Sequence, residues 1–147
     1  MSNEFVESRI IRAVRKLLTG RVNELLQNSQ YAIPVIEFGG YEGINTVAPV
    51  VALSSCERTE KERIVRQDAY SLTITISLPE TSESEMYCYA YSGAISRAFY
   101  DDPTLGGVAD RAVITGKKYI TPKKQNCGEE WGIQINLRVT TDYQMRN

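Results

Sequence analysis

The residue types that most often carry catalysis or metal binding are either absent from this chain or lack a recognisable spacing. The chain has no histidine, which excludes histidine-dependent triads, histidine zinc ligands and an imidazole pH switch. The chain has three cysteines, Cys56, Cys88 and Cys127, and no two of them form a C-x-x-C motif. Because their number is odd, they cannot all pair in disulfide bonds. We expect reduced thiols with no shared function, because a catalytic cysteine needs a neighbouring base to lower its pKa.

The paired carboxylates and the glycine clusters do not indicate a reaction either. Asp101-Asp102 and Glu129-Glu130 are adjacent in sequence, so their side chains point in different directions on a strand or turn. Gly39-Gly40-Tyr41-Glu42-Gly43 and Gly106-Gly107 match no phosphate-binding fingerprint and are interpreted as turns. The sequence therefore predicts no catalytic residue, no metal ligand and no cofactor. A carboxylate pair assembled by the fold, as in a small hydrolase, stays open as an alternative.

Two groups of cations could bind an anion or a partner. The group on the opening segment comprises Arg9, Arg12, Arg15, Lys16 and Arg21. A solvated helix face with cations near the C-terminal dipole is the simpler interpretation of it. The second group surrounds Tyr119 on a predicted hairpin and comprises Lys117, Lys118, Lys123 and Lys124. Phosphate contacts with stacking on Tyr119 would suit a nucleic acid, whereas lysines also protect sheet edges from aggregation.

Length and composition favour a single ordinary domain over residues 1–147. The 147 residues are 42% hydrophobic and 24% charged, which is typical of a soluble globular protein. With 17 basic and 18 acidic residues the net charge is -1, so wholesale nucleic-acid binding is not indicated and nucleic acid is an unlikely partner. No segment resembles a cleavable signal or a membrane span, and we expect neither secretion by that route nor membrane insertion.

Apolar periodicity predicts the first helix and the two clearest strands. The segment Asn3 to Leu18 has an amphipathic helical pattern, interrupted near Thr19 and Gly20 and followed by one or two further turns through Leu26. Strict alternation predicts strands over Tyr70 to Leu78 and Ile133 to Thr140. We expect these two strands to share a sheet, with one face in the core and an outer face that is polar and largely uncharged.

Weaker patterns fill in the remaining strands. Ala32 to Phe38 and Val47 to Leu53 predict two strands around a glycine-containing loop, and Pro49 makes the second an edge or irregular strand. Glu57 to Gln67 carries charges of both signs and predicts an exposed turn. Ala109 to Tyr119 predicts a further strand. Together these elements predict an α+β fold, with a mixed, mostly antiparallel sheet packed with two main helices.

The second main helix has apolar residues on more than one side. It is predicted to begin at a capping box, Ser82-x-x-Glu85, and to end before Pro103. A row of small residues would allow a neighbouring element to approach closely; its members are Ala90, Ala94 and Ala98. Such a helix lies either at the centre of its own domain or against another chain. The second alternative is the sequence's best indication of oligomerisation.

The order of these elements resembles the tail terminator, or tail completion, proteins of long-tailed bacteriophages and prophages. The resemblance spans nearly the whole chain: the opening helix Phe5 to Leu18, the early strand Pro34-Val35-Ile36-Glu37, the long strand Asp68 to Leu78, the helix after Ser82, and the final strand Trp131 to Val139. It rests on element order and size, because the family has no diagnostic motif. No functional residue is transferred by position.

The resemblance implies a non-enzymatic minor tail protein that forms a homo-oligomeric ring, usually a hexamer, on the end of the tail tube. Its partners would be further copies of itself, the tail tube and the head connector, and its location the bacterial cytoplasm during assembly and then the virion tail. Candidate interface residues are Ala90, Ala94, Ala98, Lys117, Lys118, Lys123, Lys124, Arg9 and Arg12. A small nucleic-acid-binding α+β module that uses the basic hairpin is the alternative.

Overall fold

The computed structural model describes residues 5–39, 46–60, 66–79, 81, 83–122 and 130–142. It confirms the α+β class, with a mostly antiparallel sheet. The elements in chain order are α1 (Val6–Leu17), a π-helical turn (Leu18–Val22), α2 (Asn23–Gln27), β1 (Val35–Ile36), β2 (Thr46–Val47), β3 (Val50–Glu60), β4 (Arg66–Pro79), α3 (Ser84–Asp101), β5 (Arg111–Ile120) and β6 (Glu130–Asp142).

The first α-helix is interrupted around Thr19 and Gly20, as predicted, by a π-helical turn, and the helical chain continues through this turn into α2. Its buried residues recur every fourth position, at Ile10, Val14, Leu18, Val22 and Leu26. On a regular α-helix this spacing drifts by roughly 40° per step, and the wider π-helical turn at Thr19-Gly20 reverses the drift. The apolar stripe therefore stays on one side of the helix from Ile10 to Leu26.

The main sheet has four strands in the order β3-β4-β6-β5, and all neighbours are antiparallel. The two clearest predicted strands, β4 and β6, are its central pair, which confirms that they share a sheet. Leu72 lies opposite Leu137 and Ile74 opposite Ile135, and all four side chains are buried. The helices pack on this apolar face. The other face, called the open sheet face here, carries half-buried or exposed side chains, among them Ser71, Thr73, Thr75, Gln134, Asn136 and Arg138.

The charged segment Glu57 to Gln67 was predicted as an exposed turn, and this prediction is wrong at its two ends, which are strands; residues 61–65 lie outside the described residues. Strand β3 continues to Glu60 and β4 begins at Arg66, with Glu57 paired to Ala69. The cause is a cross-strand ion pair: Arg58 Nε donates to Asp68 Oδ1 over 2.8 Å, and the Asp68 side chain is buried. Opposite charges facing each other across two strands stabilise the pairing of a segment that is rich in charges of both signs.

Of the predicted strand Ala32 to Phe38 only β1 forms, and it pairs in parallel with β2; the predicted strand Val47 to Leu53 is divided, with Val47 in β2 and Val50 to Leu53 in β3. Most of the glycine-containing loop between β1 and β2 lies outside the described residues. Pro49 precedes β3, and β3 is an edge strand of the main sheet, as predicted.

The second main helix, α3, ends at Asp101 before Pro103, as predicted. Ser82 of the predicted capping box lies outside the described residues; the helix begins at Ser84 without a side-chain cap on its N-cap residue, Glu83. Tyr91 is fully buried, and its hydroxyl donates a hydrogen bond to the Pro34 carbonyl. The helix is thus bonded to the segment that leads into β1. No helix in the described part of the chain is long and apolar enough to cross a membrane.

Candidate functional site

A cavity of about 720 Å³ lies between the basic side of α1 and the loop that follows α3. Three cations from α1 line it, Arg9, Arg12 and Lys16, and Arg21 of the π-helical turn adds a fourth. The opposite wall comes from the loop between α3 and β5, with Asp102 as the carboxylate that lines the cavity. The floor is apolar and is formed by Ala13, Leu17, Leu105 and Val108. We call this space the basic cavity.

The loop wall has an unusual backbone conformation that fixes its shape. Leu105, Gly106 and Gly107 all have positive φ angles, of 53°, 69° and 93°, and a positive φ is uncommon for a side chain such as leucine. Asp102 Oδ1 accepts a hydrogen bond from the Gly106 amide over 3.0 Å. Burial of the Leu105 side chain anchors the turn in the core. Gly106-Gly107 is therefore a turn, as predicted, and its backbone forms one side of the basic cavity.

Ion pairs hold the end of α3 against the first helix beside the basic cavity. Asp101 accepts from Arg97 Nε over 3.1 Å and from Arg21 over 3.3 Å. Arg21 also pairs with Glu24 over 2.6 Å. The adjacent carboxylates Asp101 and Asp102 have different partners, as their adjacency in the sequence predicted: Asp101 forms ion pairs and Asp102 accepts from the turn. The pair is not assembled for acid-base chemistry.

The remaining cation of the first group lies outside the basic cavity. The Arg15 guanidinium is 5.2 Å from the centre of the Phe38 ring, a cation–π arrangement. Arg9 and Arg12, the two arginines predicted as interface residues, are brought to one cavity, and Lys16 joins them there. The helical spacing of the cations in the sequence indicated that they share one side of the helix. That spacing could not show that the loop between α3 and β5 faces them.

The hairpin lysines do not form one patch. Lys117 lies opposite the buried Ile135, on the helix-covered side of the sheet, whereas Lys118 lies opposite Gln134 on the open sheet face. A bulge between Ile114 and Gly116 shifts the register by one residue and sets this arrangement. Lys123 and Lys124 lie outside the described residues. A shared nucleic-acid surface for Lys117 and Lys118 is thus not present.

Lys117 instead joins a polar cluster with α3. Its ammonium donates to Ser92 Oγ over 2.7 Å and to the Ser92 carbonyl over 3.3 Å. The Tyr119 hydroxyl is 2.9 Å from the same Ser92 Oγ. The Tyr119 ring also contacts the Tyr89 ring edge-on, with 5.8 Å between ring centres. Tyr119 therefore has an internal role that the prediction of a stacking platform did not include.

Sequence analysis did not identify this serine, lysine and tyrosine cluster, because its members are 25 and 27 residues apart and match no motif. Such residue types can form a nucleophile with its base. Ser92, however, is only 4% exposed, so a substrate could reach its oxygen only by displacing Lys117 or Tyr119. We interpret the cluster as a link that joins β5 to α3.

The small-residue row of α3 is packed inside the subunit. Ala94 and Ala98 are buried and Ala90 is half-buried. Ala90 and Ala94 face Leu25 and Leu26 of α2 across a small cleft. The close approach that these alanines permit is thus made by the chain's own first helix. This observation favours the central position over the second-chain alternative for this row.

Exposed apolar side chains are concentrated instead along β5 and the adjoining side of α3. We call this region the β5–α3 flank; Tyr89, Tyr100 and Tyr119 lie on its helix side, whereas Val113 and Ile120 lie on the open sheet face, opposite Arg138 and Gly132. Its exposed fractions are Tyr100 83%, Tyr89 53%, Tyr119 46%, Ile120 39% and Val113 38%. A second cavity, of about 500 Å³, lies between the end of α3 and β5 and is lined by Phe99, Tyr100, Pro103, Val113 and Ile114 among others. Large exposed apolar patches commonly mark interaction surfaces.

Within the described ranges no three histidine, cysteine, aspartate or glutamate side chains come together as metal ligands. Cys56 is exposed and Cys88 is buried, while Cys127 lies outside the described residues. Burial raises the pKa of the Cys88 thiol above its ordinary value, which disfavours the reactive thiolate. No protein-family profile matches this chain, and a search of curated proteins finds no relative.

Proposed function

We propose that this chain is a subunit of a homo-oligomeric ring that caps the tail tube of a bacteriophage or prophage and joins it to the head connector. The role is structural and needs no catalytic group. The proposal rests on the element order that resembles tail terminators, together with one observation of the fold: the β5–α3 flank exposes three large apolar side chains on an edge strand of the described sheet and two more on the neighbouring α3.

The strand directions suit a repeated contact between identical subunits. The edge strands β3 and β5 run antiparallel to each other, because they are separated by two antiparallel neighbours. The β5 edge of one copy can therefore meet the β3 edge of the next copy in antiparallel orientation, which continues the sheet. Such a head-to-tail contact uses two different surfaces of the subunit, and it closes into a ring when the rotation between copies permits.

The two edges differ in chemistry, and the difference favours a defined order of subunits. The β5 side exposes apolar and aromatic side chains beside the cations Arg111, Lys117 and Lys118, whereas β3 exposes Val50 at its start and then mainly polar and charged residues, including Ser54, Ser55, Glu57 and Arg58. Aromatic residues are enriched at the centres of protein interfaces. Tyr100 is the strongest candidate for an anchor, because it is the most exposed of these side chains and borders the cavity between α3 and β5.

Light scattering over a concentration series, at low and high salt, tests self-association. We expect a defined oligomer that dissociates on dilution. The double variant Tyr100→Ser, Val113→Ser should weaken association by about tenfold or more. Each substitution removes apolar contact that contributes roughly 1–2 kcal/mol to the free energy of association. Tyr31→Ser is the matched control, because Tyr31 is also exposed but precedes β1. A chain that stays monomeric at all concentrations contradicts the ring.

Electron microscopy of particles tests the role on the tail. A prophage that carries this gene should release normal tails when induced, and its deletion should give overlong tubes or tails without heads. Supplying the wild-type chain should restore normal particles, and supplying the Tyr100→Ser, Val113→Ser variant should not. Normal particles from the deletion strain contradict the proposed function, even if the purified chain is oligomeric.

A further inference from the structure

We infer that the basic cavity binds an acidic peptide segment of a partner protein, with its carboxylates on the α1 cations and an apolar side chain on the cavity floor. The inference rests on the cavity and is independent of the β5–α3 flank. It assigns a binding role to a cationic helix face that the sequence alone explains as a solvated surface.

The position of the cations within the helix removes the simplest structural explanation for them. Cations stabilise a helix near its C-terminus, but this effect is confined to the last turn. The first helix continues through the π-helical turn to Gln27, so Lys16 is eleven residues before its end. Favourable interaction with the helix dipole therefore does not account for Arg9, Arg12 and Lys16.

The same cations are unfavourable to the helix that carries them. Arg9 and Arg12 are three residues apart, and Arg12 and Lys16 are four apart. Like charges at these spacings destabilise a helix by roughly 0.2–0.5 kcal/mol per pair. The side chains of Arg9 and Lys16 form no hydrogen bond or ion pair with any residue that the structure describes. Two cationic side chains without a described partner, those of Arg9 and Lys16, therefore line one cavity, and a ligand that supplies negative charge would compensate them.

The spacing and surroundings of these cations favour an acidic peptide over a nucleic acid. Along the helix axis the three positions are separated by about 4.5 Å and about 6 Å, and the second spacing is close to the roughly 6.8 Å between alternate residues of an extended peptide. No aromatic side chain is among the described residues that line the cavity, so nothing there would stack on a base. Asp102 would repel a phosphodiester, whereas a peptide can donate a backbone N–H to its carboxylate.

The apolar floor sets a second requirement on the ligand. Ala13 and Leu17 of α1 meet Leu105 and Val108 of the loop between the cation row and Asp102. An extended segment of alternating acidic and aliphatic residues would place carboxylates on one side and a leucine on this floor. A free inorganic anion would leave the floor uncovered, so we expect it to bind far more weakly than the peptide.

Fluorescence anisotropy with a labelled peptide of alternating Glu and Leu tests the inference on the full chain. We expect saturable binding, and a peptide with Gln in place of Glu should bind at least about tenfold more weakly, because charge-assisted contacts are lost. The variant Arg9→Gln, Lys16→Gln should show the same loss. Its thermal midpoint should stay equal or rise, since like-charge repulsion is relieved. Lys118→Gln removes a cation from the open sheet face and should bind normally.

Each of the following results would overturn the inference. Equal binding of the Glu and Gln peptides, or unchanged binding by the double variant, would show that the cavity does not recognise carboxylates. A duplex oligonucleotide that binds more tightly than the peptide, and whose binding the double variant abolishes, would make the site a nucleic-acid contact. Displacement of the peptide by inorganic phosphate at similar concentrations would reduce it to a general anion site.

Discussion

The Asn23 side chain is bonded to both backbone groups of Ile36. Asn23 Oδ1 accepts from the Ile36 amide over 2.7 Å, and Asn23 Nδ2 donates to the Ile36 carbonyl over 2.7 Å. Nδ2 also donates to the Thr19 carbonyl within the π-helical turn over 3.1 Å. One amide side chain thus joins the first helix to β1 and bonds a carbonyl at the point where the helix changes its hydrogen-bond spacing.

Replacing Asn23 is expected to weaken the attachment of β1. Asn23→Ala leaves the Ile36 backbone groups without their partner, which should lower the free energy of unfolding by about 1–3 kcal/mol. Asn23→Asp keeps an acceptor for the Ile36 amide but places a carboxylate against the carbonyl, so it should be at least as destabilising. Urea denaturation measures both. Asn28→Ala, at the exposed end of α2, is the control and should change stability little; equal effects at the two sites would contradict the role of Asn23.

Two buried tyrosines should make the fold sensitive to alkaline pH. Burial, followed by the charge of Glu7, raises the pKa of Tyr70 to about 12 from its ordinary value of 10.0. Burial likewise raises the pKa of Tyr91. Because the folded state favours the protonated phenol, its contribution to stability is complete below pH 10 and is lost as pH rises toward 12. Phe variants of both residues should flatten this alkaline loss, and tyrosinate absorbance should show late titration of the two wild-type phenols.

The two described cysteines should differ in reactivity. Cys56 is exposed and should react with a thiol reagent in the native state, whereas Cys88 should react only on unfolding. A Cys127→Ser background isolates this comparison. Replacing Cys88 by Ala should cost about 1–3 kcal/mol of stability through lost packing. Loss of assembly after Cys56→Ser, with the fold intact, would reveal a function that we do not expect.

Gly132 of β6 should not tolerate a side chain. A Cβ atom there would lie 3.0 Å from the Ile76 carbonyl oxygen on the neighbouring strand and 3.5 Å from the Ile120 side chain. Gly132→Ala should therefore destabilise the sheet by about 1–3 kcal/mol. Gly93→Ala is the matched control, because Gly93 is exposed within α3 and nothing lies within 4 Å of its added Cβ. That variant should be stabilised by about 0.5–1 kcal/mol. Thermal unfolding should therefore give a lower midpoint for Gly132→Ala and a higher midpoint for Gly93→Ala than for the wild type.

The sequence was sufficient where a single periodicity decided the outcome. Alternation in Tyr70 to Leu78 and Ile133 to Thr140 correctly identified the central strands and their core faces, because each strand has one face buried and the side chains repeat every second residue. The stripe of the first helix was equally clear. Charge, by contrast, was a poor guide to local structure between Glu57 and Gln67, since the ion pair of Arg58 with Asp68 depends on strand pairing.

The candidate sites depended on the tertiary structure. Helical spacing placed Arg9, Arg12 and Lys16 on one side of α1, but only the folded loop after α3 turned that side into a cavity. A one-residue bulge sent Lys117 to the helix side and Lys118 to the open sheet face. Two alanines of the α3 row, Ala90 and Ala94, face the chain's own α2. Periodicity determines which residues share a face, whereas the partner of each face is set by long-range packing, to which residues far apart in the chain contribute together.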